Sequence, residues 1–132
     1  MHTNHHTYDL TVLARRARHL KHWVWVDGMR WFLPDPHDSA TPFVSGIVGA
    51  NEPLADAVPD LTNSDTVEAV ANRVRYLYEL PDLVCVYEDH SRLYKVFLPT
   101  GVAVARYSSA GAWVGLLELW SYRAEMKFIG RA

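Results

Sequence analysis

Cys85 is the single cysteine of the chain, so no internal disulfide can staple the fold. Lying inside Leu83-Val84-Cys85-Val86-Tyr87, it reads as a small buried hydrophobe. No apolar run is long enough to span a bilayer. The opening Met1-His2-Thr3-Asn4-His5-His6 lacks the apolar core of a signal peptide. The expectation is a cytoplasmic protein with no membrane contact, in a host cell if the resemblance given below holds. A Gly-rich phosphate loop, an HExxH pair and a CxxC pair are also missing, which removes the common sequence signatures of nucleotide, zinc and dithiol chemistry. Lysine and arginine are absent from residues 34–62.

What is present is enough for one globular domain. The chain has 132 residues, 49% hydrophobic and 21% charged, a balance that folds rather than stays disordered. We expect a disordered end over residues 1–7 and a single α+β domain over residues 8–132. The net charge of −2 hides an uneven distribution. Residues 8–33 form a basic helix plus hairpin. Residues 34–62 form an acidic loop with Asp35, Asp38, Glu52, Asp56 and Asp60. Residues 63–125 carry the core.

That core reads as helix, three-stranded antiparallel meander, helix. Val67, Val70, Ala71, Val74, Leu77 and Tyr78 recur at helical spacing. Asn63 is the favoured cap, and Pro81 ends the helix by biasing Leu80 away from helical angles. Leu83–Tyr87, Leu93–Leu98 and Val102–Tyr107 are predicted strands, joined by Asp89-His90-Ser91 and Pro99-Thr100-Gly101. Ser108 or Ser109 caps a last helix with Ala112, Trp113, Leu116, Leu117 and Trp120 on one face. Short connections between neighbours favour an antiparallel arrangement with the helices packed on it, both on one face.

The first 33 residues are read as a helix starting at Asp9 or Thr11 and running to about His22. Leu10, Leu13, Ala14, Ala17 and Leu20 form its apolar stripe. Trp23–Val26, Asp27-Gly28 and Met29–Leu33 then read as a hairpin, because Asp-Gly is a strong two-residue turn signal. Its tryptophans are expected mainly in packing. Residues 34–62 are rich in proline and lack a clear period. Phe43-Val44 and Ile47-Val48 suit one short strand interrupted by Gly46, inside a long loop of a kind that is usually functional.

Candidate site residues fall on two charged surfaces. Arg15, Arg16, Arg18 and Lys21 make one, and Asp35, Asp38, Glu52 and Asp56 the other. The basic helix suits an acidic partner or phosphates. Neither surface requires a cofactor. Asp35-Pro36-His37-Asp38 has no second histidine close by, and the His-rich end holds no fixed geometry, so no metal site is expected. Asp89-His90-Ser91 contains the residue types of a catalytic triad, but consecutive residues in a tight turn cannot adopt its geometry. We therefore expect no catalysis.

Gly28-Met29-Arg30-Trp31, followed by Val58-Pro59-Asp60-Leu61-Thr62-Asn63 opening a helix, resembles a group of small uncharacterised proteins common in bacteriophage genomes. Those proteins carry a Trp-rich start with a GMR turn and a PDLTDPAT helix opening; here Asn63-Ser64-Asp65-Thr66 stands where the group has DPAT. The resemblance covers about three-quarters of the chain. It implies a phage accessory protein that binds and inhibits or modulates a host protein complex, with CRISPR–Cas and other defence systems as targets of that type. The core order also resembles the double-stranded RNA-binding domain in topology. That family places lysines at the start of its last helix, where this chain has Ser108-Ser109-Ala110-Gly111-Ala112. Two other readings stay open: a nucleic-acid-binding module using the basic helix, and a self-associating structural protein.

Overall fold

A computed structural model describes the backbone of residues 2–34, 42–101 and 103–130, and the side chains of residues 10–34, 44–101 and 103–124. The described residues form three helices and two three-stranded antiparallel sheets. The elements are α1 (His2–Arg18), β1 (Arg30–Pro34), β2 (Pro42–Ile47), β3 (Val58–Pro59), α2 (Ser64–Tyr78), β4 (Val86–Glu88), β5 (Leu93–Phe97), β6 (Ala103–Arg106) and α3 (Ser109–Gly130). They divide into two compact units, Met1–His19 with Trp23–Ala69, and Leu20–His22 with Val70–Ala132.

In the first unit the sheet has the order β2-β1-β3. The predicted hairpin does not form. Met29 N–H donates to Val26 C=O at 3.0 Å, so Asp27-Gly28 does make a turn. A strand-matching two-residue turn of the Asp-Gly kind needs positive φ at both central residues; Gly28 has it (φ 93°) and Asp27 does not. Residues 23–26 therefore leave the turn without a ladder. The backbone after the turn pairs elsewhere: Gly28 N–H donates to Val48 C=O at 2.9 Å and Val48 N–H to Met29 C=O at 2.8 Å. β2 is thus the partner of β1, with Trp31 opposite Gly46 and Phe32 opposite Ser45.

The segment read as a long acidic loop accordingly contributes two strands. β2 runs unbroken through Gly46, and β3 pairs with the other side of β1 at Trp31 and Phe32. Pro42 and Pro59 are tolerated because β2 and β3 are edge strands, where a missing N–H breaks no inner ladder. Gly46 is required by close approach: a Cβ there would stand 2.6 Å from the Trp31 ring. The buried Trp31 donates its indole N–H to Asn51 C=O at 3.1 Å, so this tryptophan packs, as expected. Helix α1 begins at His2 rather than at Asp9 or Thr11 and ends at Arg18, short of His22. No proline or glycine interrupts the chain before Gly28, so no residue breaks the helix early. It packs on β3 and buries Thr11, Ala14 and Ala17.

The start of α2 closes this unit. Asn63 is the cap, its side-chain oxygen accepting from Thr66 N–H at 3.0 Å. The buried Thr66 hydroxyl donates to the same oxygen at 3.0 Å and accepts from Arg30 N–H at 2.9 Å. Asp60 N–H donates to Arg30 C=O at 2.8 Å.

In the second unit α2 ends with Glu79 in the left-handed region (φ 57°). Leu80 N–H reaches Arg75 C=O at 2.9 Å and Glu79 N–H reaches Tyr76 C=O at 3.1 Å, the paired bonds that close a helix ahead of a proline. The meander has the order β4-β5-β6. β4 is shorter than predicted and lies at Val86–Glu88, because the turn at Pro81-Asp82 and the residues after it carry no ladder. Side chains alternate as the sequence indicates. Val96, Leu98 and Val104 are buried, whereas Phe97 and Ala103 are exposed. Lys95 donates to Glu88 across the β4–β5 pair at 2.8 Å, and this bond holds the Glu88 carboxyl below its ordinary range.

Helix α3 is capped by Ser108, whose hydroxyl accepts from Gly111 N–H at 2.9 Å. It packs on β5 and β6 and buries every residue from Ala110 to Leu117. Arg75 of α2 lies 4.9 Å from the Trp113 ring centroid, and the Tyr78 hydroxyl donates to Leu116 C=O at 3.1 Å.

Thr66→Val keeps the side-chain shape but strands the buried Arg30 N–H. Urea denaturation is expected to show a loss of about 1–3 kcal/mol, the desolvation cost of an unpaired donor; an unchanged midpoint would show that water replaces the bond. Trp113→Ala is expected to remove about 3–5 kcal/mol through the cavity it leaves, read as a large fall in melting temperature or loss of soluble protein.

Candidate functional site

Arg15, Arg18 and His19 stand at i, i+3 and i+4, so they share one face of the last turns of α1. The neighbouring Ala14 and Ala17 are buried, and their short side chains let the helix lie close to β3. Across from the basic face, Leu33 and Pro34 end β1, and Ala55, Asp56, Ala57 and Val58 lead into β3. Together these residues line a cleft of about 500 Å³ in the first unit. Asp56 sits in a turn closed by Ala57 N–H donating to Leu54 C=O at 3.0 Å. The cleft therefore has an apolar floor, three basic side chains on one wall and one carboxylate on the other.

Arg18 is held by more than its helix. Its guanidinium carbon lies 5.6 Å from the centroid of the Trp25 ring, a cation–π distance. Trp25 in turn meets Trp23 edge to face, centroids 5.3 Å apart. Trp23 and Trp25 thus share a face, as the alternation indicated, although no hairpin carries them. The Arg18 Nε is buried without a hydrogen-bond partner, so packing rather than an internal acceptor positions the group. An arginine so oriented presents a planar donor fork suited to a carboxylate or phosphate.

Of the eight charged residues singled out in the sequence, the cleft collects Arg15, Arg18 and Asp56. Arg16 is exposed on the helix and is not among the lining residues. Lys21 is exposed in the turn that follows α1, and Glu52 is exposed in the loop after β2. Asp35 and Asp38 lie outside the described residues. Sequence reasoning treated His19 only as a helix-end residue; its place four positions after Arg15 was the signal that put it on the same face.

The remaining reactive groups have structural explanations. Asp89-His90-Ser91 occupies the turn between β4 and β5, closed by Arg92 N–H on Glu88 C=O at 2.8 Å. Among the described residues no group of three or more His, Cys, Asp or Glu is arranged to hold a metal ion. No described helix is long and apolar enough to cross a membrane. Burial pushes the Tyr78 hydroxyl pKa up, offset in part by the positive charge of Arg123. Comparison with family models, curated proteins and solved structures finds no match for this chain.

Burial also raises the Cys85 thiol pKa, which lowers the thiolate fraction at neutral pH. Cys85 is expected to react with iodoacetamide more slowly than a free cysteine peptide at pH 8, and to approach the peptide rate in denaturant. Equal rates in the native state would show that the thiol is not desolvated.

Proposed function

We propose that this chain is a non-catalytic binding protein that docks an acidic segment of a partner protein in the cleft between α1 and the β1–β3 side of the first sheet. The resemblance read from the GMRW turn and the PDLT helix opening supports a phage-type accessory role. In that role the partner is a host protein complex, such as a CRISPR–Cas or other defence assembly, that is inhibited or modulated.

The observation that carries the reading is the convergence of Arg15, Arg18 and His19 with Asp56 over an apolar floor. A protein segment that alternates carboxylate and apolar side chains matches both parts of that surface. Nucleic acid matches it less well. Asp56 repels a phosphate backbone, Trp31 is buried with its N–H engaged, and Trp25 is covered by Arg18. Stacking platforms for bases need free aromatic faces.

Affinity capture from a host lysate with the intact chain tests the proposal. The wild-type chain is expected to retain a specific protein, and Arg15→Glu and Arg18→Glu to lose it. Both variants are expected to keep stability within about 1 kcal/mol, because they change an exposed charge and a cation–π contact. If both variants capture the partner as well as the wild type does, the cleft is not the docking surface. Recovery of nucleic acid instead, with binding that falls steeply with salt, would assign the basic helix to the alternative ligand.

A further inference from the structure

The second unit carries a surface that the α1 cleft does not use. β4 is an outer strand of the β4-β5-β6 sheet, and its far side has no ladder partner among the described residues. Natural edge strands are commonly guarded by lysine, proline or a bulge. Val86-Tyr87-Glu88 has no lysine or proline, and the Glu88 charge is neutralised from within the sheet by Lys95 at 2.8 Å. The solvent face beside this edge is apolar. Val84, Val86 and Phe97 are 60%, 49% and 57% exposed, and with Leu80, Leu83 and Leu98 they line a groove of about 400 Å³. Tyr87 is exposed on the strand itself.

The charges flanking this edge are arranged symmetrically. Asp82, in the turn before the strand, lies as far from Tyr87 along the chain as Arg92 does in the turn after it. Both side chains are exposed. We infer that β4 is a self-association edge: a second copy of the chain adds its own β4 antiparallel to this one, about a two-fold axis at Tyr87. That register sets Tyr87 opposite Tyr87, Val86 opposite Glu88 and Asp82 opposite Arg92 of the second copy. The two-fold axis forms the acid–base contact twice, once at each end. A second copy uses the spacing of acid and base on both sides of Tyr87 in full, and so it is the occupant that this pattern selects. The product is a continuous six-stranded sheet that brings the Val84, Val86 and Phe97 faces of both copies together.

Sedimentation equilibrium of the intact chain over a concentration series tests the inference. The mass is expected to rise with concentration toward twice that of the chain. Asp82→Arg and Arg92→Asp are each expected to weaken association by roughly tenfold, since each turns two attractive contacts into two repulsive ones. The double variant restores the attraction with the signs exchanged and is expected to return the wild-type association constant. Circular dichroism confirms that each variant is folded; Arg92, at φ 61°, accepts aspartate because short polar side chains visit that region. A strict monomer at every concentration overturns the inference and leaves the edge to a different chain. A dimer insensitive to the single reversals, or not rescued by the double one, overturns the register.

Discussion

The Thr66 hydroxyl is the joint of the first unit. It accepts from Arg30 N–H and donates to the Asn63 side chain, while Asp60 N–H satisfies Arg30 C=O. A buried backbone donor has to find an acceptor, and here the acceptor sits in the first turn of α2. The start of that helix and the end of β1 are therefore specified together. β1 runs from this joint to Leu33 and Pro34, which line the cleft, so a hydrogen bond at one end of the strand positions the floor of a site at the other.

The cleft depends on two choices of side-chain size. Ala14 and Ala17 are buried where α1 packs on β3, and bulkier residues there would lift the helix and open the wall. Trp25, by contrast, is large and only half-buried, which gives Arg18 a flat surface to lie against. Restricting a long cationic side chain before a ligand arrives reduces the entropy lost on binding. The mixed charge of the walls then governs selectivity more than strength, because like charges brought together are penalised.

The two sheets treat their edges differently. In the first, Pro42 and Pro59 stand in the outer strands, and α1 packs beside β3. Both devices discourage further pairing. In the second, α3 packs on β5 and β6, and β4 has no such protection. An apolar outer face next to an open edge is a common property of surfaces that join other chains.

The order of elements in residues 63–130 was written locally. Helical spacing, the Asn63 and Ser108 caps and the Pro-Thr-Gly turn each act over a few residues, and the alternation in β5 and β6 named the buried face correctly. The same local reading failed around Asp27-Gly28. A dipeptide specifies that the chain turns, but the φ of Asp27 decides whether the flanking strands stay together, and that angle answers to the Val48 and Thr66 hydrogen bonds. β2 and β3 were hidden for a related reason: a six-residue and a two-residue edge strand with prolines carry almost no periodicity. The cleft was partly visible, since the i, i+3, i+4 spacing of Arg15, Arg18 and His19 is a property of the helix alone. Residue order thus determined the helices, the meander and the basic face. The partner of β1, and the meeting of Asp56 with Arg15 and Arg18, were decided by tertiary structure, because both depend on hydrogen bonds and packing between residues far apart in the chain.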